Sequence, residues 1–307
     1  MSTYTEPGWI EKFAEHWEKL GPQTRTALLE LLPRDWTFDG KRVLDFGCGA
    51  GRTLRHFMAE AEEAEMWGVD IDATSIDLLR ETVCPPLHVM RSGYAPPLEL
   101  ESSWFDLIWS ISVFTHLTDN SIPWLLELHR LLRPGGLLIA TFMGRWTSEL
   151  IAGEPWDENR VGMNVLRHSH PVSDGGPMVL MSEWWVREHW GRAFEVLAIA
   201  PQIHNQSWAL LRRRDVTLTV EDVERPGDDP RESIALRHNL HQAQREVETL
   251  RHQAVETSEQ LETARRELGD SERRLKQLRA YYEESRSWRL TRPLRALGAR
   301  GRALSGD

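Results

Sequence analysis

Apolar residues follow three periods along the chain, and each period predicts a different kind of element. Between residues 7 and 33, Trp9, Phe13, Trp17 and Leu20, then Ala27, Leu28, Leu31 and Leu32, recur at helical spacing and predict two helices. Asp39-Gly40 ends that pattern. From Arg42 to Arg213, short apolar runs alternate with amphipathic stretches. The runs are Val43 to Phe46, Met66 to Val69, Leu87 to Met90, Phe105 to Ser110, Leu137 to Phe142, Phe194 to Ile199 and Trp208 to Leu211. Strands set off by turns such as Gly47 to Gly51 and Pro134-Gly135-Gly136, and separated by helix-like segments, predict an α/β fold. Its sheet is mostly parallel, doubly wound and covered on both faces.

The alternation stops near Arg214, and Glu224 to Pro230 has the composition of an exposed linker. Beyond it the spacing becomes four and three in turn. Leu236, Leu240, Ala243, Val247, Leu250, Ala254, Thr257, Leu261, Ala264, Leu268, Ser271, Leu275, Leu278 and Tyr282 form one seam, all apolar except Thr257 and Ser271. A period of 3.5 predicts a long coiled-coil helix, roughly 70 Å at about 1.5 Å per residue. A solitary helix would leave that seam wet. The expected organisation is a helical lid over 1–40, an α/β domain over 41–213, a linker over 214–232, a coiled coil over 233–285 and a basic tail over 286–307.

A net charge of -10 keeps the protein soluble and argues against a broad grip on nucleic acid, whose affinity comes from neutralising phosphates. Only Cys48 and Cys84 occur, with no paired-cysteine or zinc spacing, so neither a disulfide framework nor a metal is expected. The N-terminus lacks a basic-then-apolar leader and no run reaches the roughly 20 apolar residues of a membrane span. A cytoplasmic location follows as the expectation.

The densest chemistry lies in VLDFGCGAGRTLRHF, Val43 to Phe57, where a strand runs into Gly47-x-Gly49-x-Gly51 and then a helix. Glycines there allow positive φ and close backbone approach to a ligand. The spacing differs from the GxGxxG dinucleotide fingerprint, which disfavours a dehydrogenase. Asp70 ends the second strand, where its carboxylate can accept hydrogen bonds from two ribose hydroxyls.

With LDFGCGAG, WGVDID, FDLIWSISVFTHL and LHRLLRPGGLLIATF in this order, residues 36–212 resemble the class I S-adenosylmethionine-dependent methyltransferases, a Rossmann-like family with a seven-stranded sheet. The resemblance implies that S-adenosylmethionine is the cofactor. It places Asp45, Gly47, Cys48, Gly49 and Gly51 around the methionine moiety, Asp70 on the ribose and Ile71 on the adenine. Ser92 and Gly93 follow the third strand near the adenine amino group, and Ser110 closes the fourth.

Methyl transfer needs an acceptor lone pair in line with the methyl and the exclusion of water. For a hydroxyl acceptor the candidate base is His116, just past the fourth strand; the alternative is that it orders its loop or the cofactor. An Asn/Asp-Pro-Pro-Tyr cradle for planar nitrogens is missing from Ser110 to His116, which disfavours base or glutamine methylation. Residues 146–204 are expected to wall the acceptor. They hold Trp146, Trp156, Trp184, Trp185 and Trp190, whose indoles suit the apolar face of a sugar or an ordinary core, and His168, His170, His189 and His204. Trp9, Phe13 and Trp17 are candidates for a lid.

The tail from Ser285 to Arg302 mixes basic residues with Trp288, Leu290, Leu294 and Leu297, a composition suited to an anionic membrane surface. Its SxSWRxTxPLR string, Ser285 to Arg295, resembles a segment of bacterial enzymes that assemble surface polysaccharides such as O-antigen. The expectation is O-methylation of a sugar or glycan, peripheral to the inner membrane. The coiled coil would join copies of the chain or a partner protein. A lipid or small-molecule acceptor, or an inactive scaffold, is the alternative.

Overall fold

A computed structural model describes residues 9–153, 155–168, 176–285 and 290–291, apart from the side chains of 9–18 and 202. Seven strands form one sheet in the order β3-β2-β1-β4-β5-β9-β8. The members are β1 (Arg42–Phe46), β2 (Glu65–Asp70), β3 (His88–Arg91), β4 (Phe105–Ser110), β5 (Leu132–Phe142), β8 (Phe194–Ile203) and β9 (Gln206–Arg213). β1 to β5 run parallel, while β9 is antiparallel to β5 and to β8. All seven expected strands are present, and after β3 the chain crosses back to place β4 on the other side of β1, opening a crevice at the carboxyl ends of β1 and β4.

Period-two alternation builds the two cores. Leu44, Phe46, Ile108, Leu138 and Ala140 point into one apolar cluster, and Val43, Leu107, Trp109, Leu137 and Ile139 point into the other. Every residue of β4 is buried, as a central strand covered on both sides requires. α2 (Ala73–Thr82) is capped by Asp72, whose carboxylate accepts from Ser75 N at 3.0 Å, and α3 (Ser121–Leu131) packs its apolar face on the first cluster.

Several elements differ from expectation. The two N-terminal helices are one, α1 (Trp9–Leu31), with Pro22 inside it. Its Ala27 and Leu28 are buried in the second cluster, so this half of the segment belongs to the core. The side chains of Trp9, Phe13 and Trp17 lie outside the described residues, and the lid role with them. After the glycine turn there is no regular helix but a 3₁₀ turn over Leu54–Phe57; Leu54 and Phe57, three apart and fully buried, share one face at that pitch.

β6 (Met163–Leu166) and β7 (Met178–Met181) form a separate antiparallel pair. α4 (Glu183–Trp185), a wide turn over Val186–Trp190 and α5 (Gly191–Ala193) then run on as one helical stretch, capped by Ser182.

The segment 214–232 is not an open linker throughout. It contains α6 (Val220–Glu224), closed by a capping box between Thr219 and Asp222, and its Val223 is fully buried. The start of α7 (Pro230–Glu284) is also packed. Glu232 meets the His189 ring at 3.0 Å, Ala235 is buried, and Asn239 donates to the Met163 carbonyl at 2.5 Å. One compact unit therefore ends at Leu240, and the second begins at His241. The second unit is helical to Glu284, with Val247, Leu250, Leu261, Leu268, Leu275 and Leu278 exposed along its seam. Of the tail, only Leu290 and Thr291 lie within the described residues.

Candidate functional site

The glycine turn leaves β1 at the point where the neighbouring β4 diverges. Gly47, Gly49 and Gly51 take φ values of +81°, +52° and +77°. Gly47 N and Cys48 N donate to the Val69 carbonyl at 2.7 and 3.1 Å, tying the turn to the end of β2. A Cβ on Gly47 would lie 2.2 Å from Val113 Cγ2, so Val113 closes over the turn from the loop after β4. Around Gly49 there is open space.

Asp70 sits beside this space. Its Oδ2 accepts from Gly49 N at 2.7 Å and its Oδ1 from Asp72 N at 2.8 Å, which fixes the carboxylate and leaves a lone pair on each oxygen. Burial pushes its pKa up, against the pull of those backbone donors. Ile71, next in the chain, is an exposed apolar side chain, and Ser92 N bonds the Asp70 carbonyl at 2.8 Å, bringing Ser92 and Gly93 to the same rim. Two fixed acceptor oxygens beside an open apolar surface fit a ribose and its adenine.

Below the turn, Asp45 is buried and its pKa is pushed up to about 7. Burial is the main cause; the Trp109 indole N–H and the Arg52 guanidinium oppose it. Ser110 is fully buried, its hydroxyl without a hydrogen-bond partner among the described residues, and the buried Cys48 thiol donates to the Gly49 carbonyl at 3.5 Å, its pKa raised by burial.

His116 follows Val113 by one turn, its N–H bonded to the Val113 carbonyl at 2.9 Å. Its Nδ1 lies 2.8 Å from the Pro177 carbonyl, which as an acceptor calls for a proton on Nδ1 and leaves the Nε2 lone pair available in the neutral ring. Partial loss of hydration lowers its pKa. His116 lines neither of two cavities in the first unit, the smaller of which, roughly 280 Å³, lies between the start of α3 and the start of α7.

The larger of these, roughly 390 Å³, opens beyond the carboxyl end of β5. Phe142 and Met181 form its floor, Trp146 and Trp156 its apolar sides, and Arg145, Glu158, Glu183, Asn205 and Gln206 its polar rim. Gln206 donates to Ser112 Oγ at 2.6 Å, and Ser112 precedes the Val113 that covers Gly47. Cavity and glycine turn are thus joined through two side chains. Ser112, Val113, Arg52 and this rim were not singled out by the sequence. Only Arg52, directly after Gly51, carries a local signal; the others meet through tertiary folding.

Of the residues expected to wall an acceptor, Trp146 and Trp156 reach this cavity, whereas Trp184, Trp185 and Trp190 are buried. His189 is buried between the Val223 carbonyl and Glu232, at 2.7 and 3.0 Å. His204 sits in the β8–β9 turn with φ +48°, His168 is exposed, and His170 lies outside the described residues. Among the described residues no group of three His, Cys, Asp or Glu is placed to hold a metal.

Residues 43–136 match the family model of a methyltransferase domain. The chain is 32% identical over 116 residues to the ubiquinone biosynthesis O-methyltransferase of Chelativorans sp. (strain BNC1), covering 35% of this chain and 42% of that protein. It is 32% identical over 123 residues to the phthiotriol/phenolphthiotriol dimycocerosates methyltransferase 1 of Mycobacterium ulcerans (strain Agy99), covering 38% and 44%. The chain thus spans less than half the length of these curated relatives. Among solved structures, an S-adenosylmethionine dependent methyltransferase from Mesorhizobium loti superposes with a TM-score of 0.49 at 19% identity, over 61% of this chain and 96% of that one. The strand order gives the α/β unit the Rossmann-like fold of the class I S-adenosylmethionine-dependent methyltransferases, and residues 43–136, with the glycine turn and its facing acid, match the sequence model of a methyltransferase domain.

Proposed function

We propose that the protein transfers the methyl group of S-adenosylmethionine to a hydroxyl of a sugar or glycan. The cavity beside the glycine turn carries this reading. Two half-buried indoles next to carboxylates, a guanidinium and side-chain amides offer stacking and hydrogen bonding together, the pairing a polyhydroxylated ring uses. Asp70 holds the ribose hydroxyls, Ile71 packs on adenine, and the main chain of Gly47 to Gly51 with Asp45 beneath it receives the methionine end, with Ser92 and Gly93 at the adenine edge. Bound there, the cofactor supplies an electrophilic methyl. His116, whose Nδ1 is held by the Pro177 carbonyl and whose ring stands outside the cavity's lining, would take the proton only from an acceptor that extends past the cavity to the loop after β4. The basic tail would bring the enzyme to an anionic membrane where surface polysaccharide is assembled, and the long helix would join it to other chains. Among the described residues no helix is long and apolar enough to cross a membrane.

A second reading takes a quinone-like or lipid acceptor. Leu150 and Ile151, exposed apolar side chains on the turn that follows Trp146, favour it. The two are separated by supplying methyl-labelled S-adenosylmethionine with a set of nucleotide sugars and methyl glycosides, and in parallel with a hydroquinone. Label recovered as a sugar methyl ether, and reduced in Trp156→Ala while cofactor affinity is kept, supports the first reading. Label on the hydroquinone alone refutes it.

A further inference from the structure

We infer that the second unit pairs with a second copy of this chain as an antiparallel two-helix coiled coil, with Tyr282 of each copy packed on Ala243 of the other. The helix shows why it has a partner. Its ion pairs, Glu248 to Arg251, Glu262 to Arg266, Asp270 to Arg273 and Arg279 to Glu283, all lie off the seam, while the seam's leucines stand exposed. From Ala243 to Tyr282 the seam is roughly 60 Å long and about 10 Å wide, giving about 600 Å² per helix and about 1,200 Å² for a pair, the lower edge of a stable specific interface.

The sizes of the seam residues decide the direction. In a parallel pair each residue meets its own copy, and Ala243, Ala254, Thr257, Ala264 and Ser271 would each stack small on small. The flanks would also set Glu267 against Glu272 and Arg274 against Arg279, with one attraction, Glu246 to Arg251, to offset them. Reversing one helix matches large with small. Ala243 then faces the second copy's Tyr282, Thr257 faces Leu268 and Ala264 faces Leu261. Val247 with Leu278 and Leu250 with Leu275 fill the remaining layers, and only Ala254 with Ser271 stays small on both sides. Layers of near-constant volume leave no row of voids. This arrangement uses residues of the second unit alone.

The test is pulsed electron-spin distance measurement on the full-length protein, labelled in turn at Glu259→Cys and Arg273→Cys. A Cys84→Ser background is used, Cys48 being buried. Both positions lie on the outer face, about 20 Å apart across the pair. In the antiparallel register Glu259 comes level with the second copy's Arg266 and Arg273 with its His252, offsets of about 10 and 32 Å along the rod at about 1.5 Å per residue. The expected distances are therefore about 23 Å for the first label and about 37 Å for the second. Equal distances near about 20 Å would establish a parallel pair, and equal distances near about 29 Å an antiparallel pair slipped by one heptad; either overturns the inference. A first distance near 20 Å with a second beyond about 45 Å would place the helices one heptad away and overturn the Tyr282–Ala243 register. A monomer by light scattering at tens of micromolar, with no dipolar signal, would overturn it entirely.

Discussion

Alanine at Gly47 and at Gly49 separates the two reasons a glycine can be needed in the cofactor turn. Both residues have positive φ, +81° and +52°, so each alanine carries the left-handed penalty of about 1–2 kcal/mol. Only Gly47 also has a neighbour in the way, Val113 Cγ2 at 2.2 Å from the added Cβ, with the next nearest atom at 3.5 Å. Overpacking of that kind adds about 1–3 kcal/mol. Gly47→Ala is therefore expected to cost about 2–5 kcal/mol, and Gly49→Ala about 1–2. Because the clash is with one methyl group, Val113→Ala should return the overpacking part when combined with Gly47→Ala and nothing when combined with Gly49→Ala. Urea unfolding of the ligand-free protein, followed by tryptophan fluorescence, measures the wild type, the three single variants and both double mutants. A coupling of about 1–3 kcal/mol for the Gly47–Val113 pair is the expected result. Equal costs for the two glycines, or a coupling within about 0.5 kcal/mol of zero, would refute the account of Val113 as the cover of the turn.

Asp70→Ala should weaken S-adenosylmethionine binding by about 1–3 kcal/mol in calorimetric titration, the loss of charge-assisted hydrogen bonds; unchanged affinity would remove Asp70 from the ribose. Asp45, whose folded pKa is raised to about 7, binds its proton more tightly in the folded state, so its contribution to stability is full below about pH 4 and is lost as pH rises through 7. Asp45→Asn should lack this fall, gaining on the wild type by up to about 4 kcal/mol between pH 4 and 8 in unfolding experiments on the ligand-free protein, and a pH-independent difference would contradict the buried, raised carboxyl. His116→Asn should lower kcat by about 10²–10⁴-fold with little change in cofactor affinity, and the wild-type acid limb should titrate below the ordinary histidine range, since the ring's lowered pKa keeps Nε2 unprotonated there. Full activity in the asparagine variant would assign His116 to the loop. Glu232→Ala should destabilise the first unit by about 3–5 kcal/mol by stranding the buried His189, and Glu232→Gln by much less because its amide restores a hydrogen bond; equal losses would mean that packing alone holds this contact.

What the sequence could show followed from periodicity, and what it could not show followed from distance along the chain. β4 was legible because every one of its six residues is buried, and an apolar run with no polar break has few other solutions. The glycine turn was legible because backbone geometry restricts residue type at each of its positions. β6 and β7 were not, because each spans four residues and owes its pairing to a neighbour about fifteen positions away. The tryptophans of residues 146–204 show the limit most clearly. Trp156 and Trp190 look alike in sequence, yet one lines a cavity and the other is fully buried against Phe114, because α4, the wide turn and α5 carry Trp190 onto the sheet. The linker misreading has the same origin. Glu224 to Pro230 is rich in turn residues, but burial of Val223 and the His189–Glu232 contact are decided by residues more than thirty positions earlier. Sequence pattern thus locates the proposed cofactor contacts, which one turn and one strand end define. The proposed acceptor cavity is assembled from the ends of β5, β7 and the β8–β9 turn, so its lining can be read only once those elements are brought together.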